Sequence, residues 1–153
     1  MDPKILQKEA MIIAGVAGSG NETGKVWEAF MELQKMHPLM NRAGEEGYEI
    51  RLYPTEGMGK IHVGVRVQDA SVPAEYTVFF LPAATYAEFD IFPSKSYESS
   101  NADMNEWLAN NAGKYQQALL NGMKYAVEVY DKRYKGDKDP SLVVGILVGL
   151  LVG

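Results

Sequence analysis

The chain has 153 residues, 46% hydrophobic and 23% charged, with a formal net charge of −5. That balance offers no basic footprint for phosphates, so direct nucleic-acid binding is not expected. No cysteine is present, which excludes disulfides, zinc–thiolate sites and thiol nucleophiles. The two histidines, His37 and His62, lie far apart without metal-site spacing, so neither a metal nor another cofactor is expected.

The length suits one domain spanning 1–153. MDPKILQKEA at the N-terminus lacks the layout of a secretory leader. The C-terminal run LVVGILVGLLVG is shorter than the roughly 20 residues a membrane helix needs, and its Val and Gly content suits a buried strand. A sticky or membrane-associated tail is the alternative. The expectation is a cytoplasmic protein without a membrane partner.

In chain order, Ile5 to Val16 reads as a strand or bent strand pair, and GSGNETG as a loop. GSG is not a phosphate loop, because no GK[ST] follows it. Thr23 is the expected N-cap of a helix over 24–36, with Val26, Trp27, Phe30, Leu33 and Gln34 along one stripe. HPLMNRAGEEG reads as a long connection, with GEEG (44–47) as loop. YEIRLYP and KIHVGVRVQ read as antiparallel strands joined by a turn over 56–59. The segment 76–92 is strand-like with a kink at Pro82. After the polar PSKSYESSNAD comes a helix near 102–120, carrying Met104, Trp107, Leu108, Tyr115 and Leu119. YAVEVYD is a strand, KRYKGDKDP a charged turn and SLVVGILVGLLV the last strand. Met31, Met36, Met40, Met58, Met104 and Met123 are assigned to the core.

The chain repeats itself. YEIRLYP falls on YAVEVYD at an offset of 77, with Tyr48 on Tyr125, Ile50 on Val127 and Arg51 on Glu128. IHVGVRV falls on LVVGILV at 81, Trp27 on Trp107 at 80, and EAMIIAGV on PAATYAEF at 73. Strand-helix-strand-strand therefore occurs twice, in halves of about 4–70 and 75–152. The fold class is α+β: duplicated β-α-β-β units pair their edge strands into one antiparallel sheet, with both helices on one face and a central groove between them.

These residues resemble the GyrI-like small-molecule-binding domain, the effector-binding module of AraC-type and MerR-type bacterial regulators, which also occurs alone. VWEAF in the first helix, FLPAATYAEFD, the Trp-Leu of the second helix and the Glu-x-Tyr strand carry the resemblance over about Lys4 to Val152. Ala84 stands where the family pattern has a glycine. The resemblance implies an aromatic-lined groove that binds hydrophobic, often cationic compounds, with Glu128 as the matching carboxylate. It also implies that some stand-alone members hydrolyse small molecules or protect gyrase. YEIRLYP is faintly similar to the tetrapyrrole-binding SOUL proteins, which share the fold.

Strand alternation alone turns Glu128 away from the core formed by Val127 and Val129; the resemblance makes it a pocket carboxylate. A carboxylate among aromatics loses solvation, and a bound cation restores it. Trp27, Trp107, Tyr130, Tyr53, Tyr48, Tyr86 and Phe30 complete the candidate ligand set. An Arg51–Glu128 pair would neutralise that carboxylate, and which of the two arrangements holds is left to the structure. The expected function is binding of a hydrophobic, cationic or aromatic small molecule, as a stand-alone sensor or sequestering protein. A hydrolase using Glu128 as general base with Tyr130 is the alternative, as are a protein-interaction module such as a gyrase protector, a tetrapyrrole binder, and a protein partner or homodimer.

Overall fold

A computed structural model describes residues 2–91, 97–131 and 144–152. Two helices and ten strands form among these residues, all strands belonging to one antiparallel sheet. The first half comprises β1 (Lys4–Lys8), β2 (Met11–Ser19), α1 (Thr23–Met36), β3 (Arg42–Tyr53) and β4 (Lys60–Val67). Then follow β5 (Thr77–Leu81), β6 (Ala84–Ile91), α2 (Tyr97–Asn110), β7 (Tyr115–Gln117), β8 (Leu119–Leu120), β9 (Met123–Tyr130) and β10 (Val144–Val152). The expected KRYKGDKDP turn lies outside the described residues.

The sheet runs β1-β6-β10-β9-β3-β4-β2-β5. Lys4–Lys8 pairs with Ala84–Glu88 and Met11–Gly15 with Thr77–Leu81 in an unbroken register. The corners at Glu9-Ala10 and Pro82-Ala83 therefore bend two strands that pair with each other on both sides of the corner. The bent ribbon joins both ends of the sheet and curls it on itself. Pro82, lacking an amide donor, sits at the corner where it removes no ladder bond.

Alternation then sorts the side chains. Ile13, Tyr48, Ile50, Tyr86, Tyr125 and Val127 fill the inner face of the curled sheet. On the outer face, Val26 and Phe30 of α1 pack on Ile61, Val63 and Val65. Met104 of α2 packs there with Phe89, Ile91, Val148 and Leu150. Both helices thus cover one face. Gly15 and Gly64 are cross-strand partners, and a Cβ on either would run into the opposing backbone.

The repeat is symmetric about the sheet centre. Ile50 coincides with Val127 in the repeat, and the two are also cross-strand partners between β3 and β9. The pseudo-two-fold axis therefore passes between them. β9 and β3 are the seam of the halves, and the outer face of that seam floors the space between α1 and α2.

Several expected elements differ. GEEG is part of β3 rather than loop, because the strand continues past a register break between Arg42 and Gly47. The second helix ends at Asn110, and Tyr115 and Leu119 lie on β7 and β8 instead. Gly113 and the backbone turn from Asn111 to Lys114 end the helical stripe early. Glu22 holds the N-cap position of α1, and Thr23 instead donates its hydroxyl to the Gly20 carbonyl at 3.4 Å. Of the methionines assigned to the core, Met104 is buried, whereas Met31, Met36, Met40 and Met58 are exposed. The apolar C-terminal run forms β10 as expected, with Val148 and Leu150 buried. Among the described residues no helix is long and apolar enough to cross a membrane.

Candidate functional site

A groove of about 1120 Å³ opens between α1 and α2, above the size of an ordinary drug site. Its floor is the outer-facing row of β3 and β9. The cross-strand pairs there are Gly47 with Tyr130, Glu49 with Glu128, Arg51 with Ala126, and Tyr53 with Lys124. Trp27 and Phe30 form the α1 wall, and Met104 and Leu108 the α2 wall.

At the centre, one guanidinium serves two carboxylates. Arg51 Nε donates to Glu49 Oε2 at 2.7 Å and to Glu128 Oε2 at 3.1 Å. Its other nitrogens donate to Thr23 Oγ1 at 2.9 Å and to the Gly20 carbonyl at 3.4 Å. Trp27 Nε1 donates to Glu49 Oε1 at 2.8 Å, and the Tyr130 hydroxyl donates to Glu128 Oε1 at 3.1 Å. Both carboxylates are buried, Glu49 to 1% exposure and Glu128 to 8%.

Two carboxylates facing one cation cannot both be charged cheaply. Burial pushes Glu128 up to about 8, and the hydrogen bond and charge of Glu49 push the same way against the opposing pull of Arg51. Burial alone would also raise Glu49. The hydrogen bonds from Glu128 and Trp27 and the charge of Arg51 override it and hold Glu49 below the ordinary carboxylate range. The pair therefore keeps one proton, on Glu128, and one charge, on Glu49, which Arg51 neutralises.

The sequence-derived candidates divide into two groups. Glu128, Trp27, Tyr130, Tyr53 and Phe30 line the groove. Trp27 meets Phe30 and Tyr130 edge-on, with ring centroids 6.2 and 5.5 Å apart. Tyr48 and Tyr86 lie on the inner face instead, because alternation turns them away from the groove. Tyr86 accepts a hydrogen bond from Tyr125 at 3.3 Å, and burial carries its phenol above the usual range. Trp107 also lies off the groove, stacked on Tyr115 and edge-on to Phe89. The repeat explains this: the second-half counterpart of Glu49 is Ala126, which offers no acceptor for an indole N–H.

The open question about Arg51 is answered: it does pair with Glu128, but it pairs at shorter distance with Glu49. Glu49 was missed by the sequence reading. Its signal was present, two residues before Arg51 on the same strand face. Among the described residues, no cluster of His, Asp and Glu has the arrangement of a metal site.

Known proteins place this architecture. The family model for the integron-associated effector binding protein Cass2 matches residues 4–148. No curated protein matches the chain. Among solved structures, SAV2435 bound to tetraphenylphosphonium superposes with a TM-score of 0.71 at 13% identity, covering 99% of this chain and 94% of that one. The EcmrR C-terminal domain gives 0.70 at 11% identity, covering 98% and 97%. The Vibrio cholerae integron cassette protein VCH_CASS2 gives 0.51 at 14% identity, covering 99% and 97%. At these identities the structures show a shared fold, the duplicated α+β architecture of the GyrI-like effector-binding domains. With the family model spanning nearly the whole chain, the protein belongs to the Cass2 family of integron-associated effector binding proteins.

Proposed function

We propose that the groove binds a hydrophobic cation, and that Glu128 supplies the charge that receives it. The observation that carries this reading is the Glu49–Arg51–Glu128 cluster. Arg51 is already matched by Glu49, so the proton on Glu128 is what leaves this three-residue cluster neutral. A cation entering beside Glu128 takes the place of that proton. The edge-on aromatics Trp27 and Tyr130 border the same spot and add cation–π attraction of roughly 0.5–2 kcal/mol each. The solved relative carrying tetraphenylphosphonium shows that this fold accommodates such a molecule in another protein.

The protein would then act as a sensor or sequestering module. The direct test is a thermal-shift and calorimetric comparison of tetraphenylphosphonium with the neutral triphenylphosphine oxide. A cation at 100 times its dissociation constant should stabilise the fold by about 2.7 kcal/mol. Equal response to both compounds would remove the charge from the reading, and silence toward both would remove the site.

A further inference from the structure

The pseudo-two-fold axis generates a symmetric groove, but its lining is not symmetric. On the α1 side the floor is a polar plate: Glu49 is held by Trp27 and Arg51, and Arg51 by Thr23. On the α2 side the position equivalent to Glu49 is Ala126. Around it stand Met104, Leu108 and Val148, which with Ala126 belong to one apolar cluster. The same four residues line the groove.

The groove is larger than a drug-sized molecule fills, so its lining decides where an occupant sits. An apolar body laid on the Glu49–Arg51 plate would strip water from charged groups with nothing in return. Laid over Ala126 on the side away from Arg51, its cross-strand partner, it covers Met104, Leu108 and Val148, side chains without polar groups to desolvate, and gains their burial. Glu128, two residues from Ala126 on the same strand face, remains within reach of the ligand's charge.

We propose that Ala126 sets the size specificity of the groove: the apolar body of the ligand lies over Ala126 and against Met104, Leu108 and Val148, while the Glu49–Arg51 side stays hydrated. The departure of the second half from the first is what makes that room. This inference rests on the groove being a cation site.

The test measures dissociation constants of a bulky probe, tetraphenylphosphonium, and a small one, tetraethylammonium, by calorimetry on the full chain. In Ala126→Leu the preference for the bulky probe over the small one should fall by about tenfold or more, the effect of overpacking a filled cavity. Gly24→Leu places similar bulk on the α1 side, where a Cβ meets nothing, and should lower that preference by less than about threefold. Leu108→Ala removes one half-buried wall contact without adding bulk. It should weaken the bulky probe by about threefold to tenfold, which keeps the proposal testable if Ala126→Leu does not fold. Equal effects of Ala126→Leu and Gly24→Leu, or an unaltered bulky-probe affinity in Leu108→Ala, would overturn the placement alone. A wild-type chain that binds neither probe overturns both this inference and the cation reading beneath it.

Discussion

Glu49 and Glu128 stand directly opposite each other across the β3–β9 seam, with Arg51 Nε donating to both. One positive charge against two carboxylates leaves room for a single proton or a single cation. From this relationship follow the expected charge selectivity, pH response and stability of the seam.

Glu128→Gln keeps the shape and the Tyr130 contact but cannot become negative. Affinity for tetraphenylphosphonium should drop by roughly ten- to a hundredfold, the loss of one charge interaction in a desolvated site. Neutral triphenylphosphine oxide should bind as before. Calorimetry on both ligands checks this, and a parallel loss for both would point to a packing role for Glu128.

Cation binding should release a proton. Because Glu128 sits near pH 8 in the free protein, affinity for a cation should rise with pH up to about 8, by at most about tenfold per unit, and then level off. Calorimetry in buffers of different ionisation enthalpy would count the proton. The Glu128→Gln variant should release none.

The free fold should lose stability as pH rises from 6.5 to 8. Glu128 has its folded-state pKa raised above the unfolded value of 4.5, so the folded chain holds a proton that the unfolded chain has shed, and that contribution fades on the way to about 8. His62 works in the opposite sense at lower pH. Burial lowers its pKa, so it favours the fold above 6.5 and costs stability below, where the unfolded imidazole takes up a proton. The window from 6.5 to 8 isolates Glu128. Chemical denaturation across it should show a decline in the wild type that Glu128→Gln lacks.

Arg51→Met removes the only cation donating to both carboxylates among the described contacts. Breaking a buried ion cluster from one side should destabilise the fold by about 3–5 kcal/mol. Urea denaturation measures this. A cost below 1 kcal/mol would mean that the cluster is better hydrated than its burial indicates.

Two glycines give opposite expectations for the same change. Gly64→Ala drives a methyl into the Ala14 carbonyl of β2 and should cost more than about 2 kcal/mol. Gly24→Ala meets no atom in α1 and should stabilise by about 0.5–1 kcal/mol. Thermal melts of the two variants compare them directly.

Period-two alternation was enough to find β4, β9 and the second half of β3 and to put Glu128 and Arg51 on the face away from Val127. The repeat offsets were enough to give the duplicated β-α-β-β order, because each half carries the same local pattern of buried and exposed positions. The sequence alone could not show where α2 ends, since apolar residues at helical spacing continue past Gly113 into residues that the sheet recruits as β7 and β8. Alternation along YEIRLYP also separates Tyr53, on the face of Arg51, from Tyr48, on the face of Ile50, and a candidate set holding both tyrosines did not use it. The register between β3 and β9 was decided by tertiary pairing. That register sets Glu49 against Glu128 at a separation of 79 residues along the chain, close enough to share Arg51 and one proton.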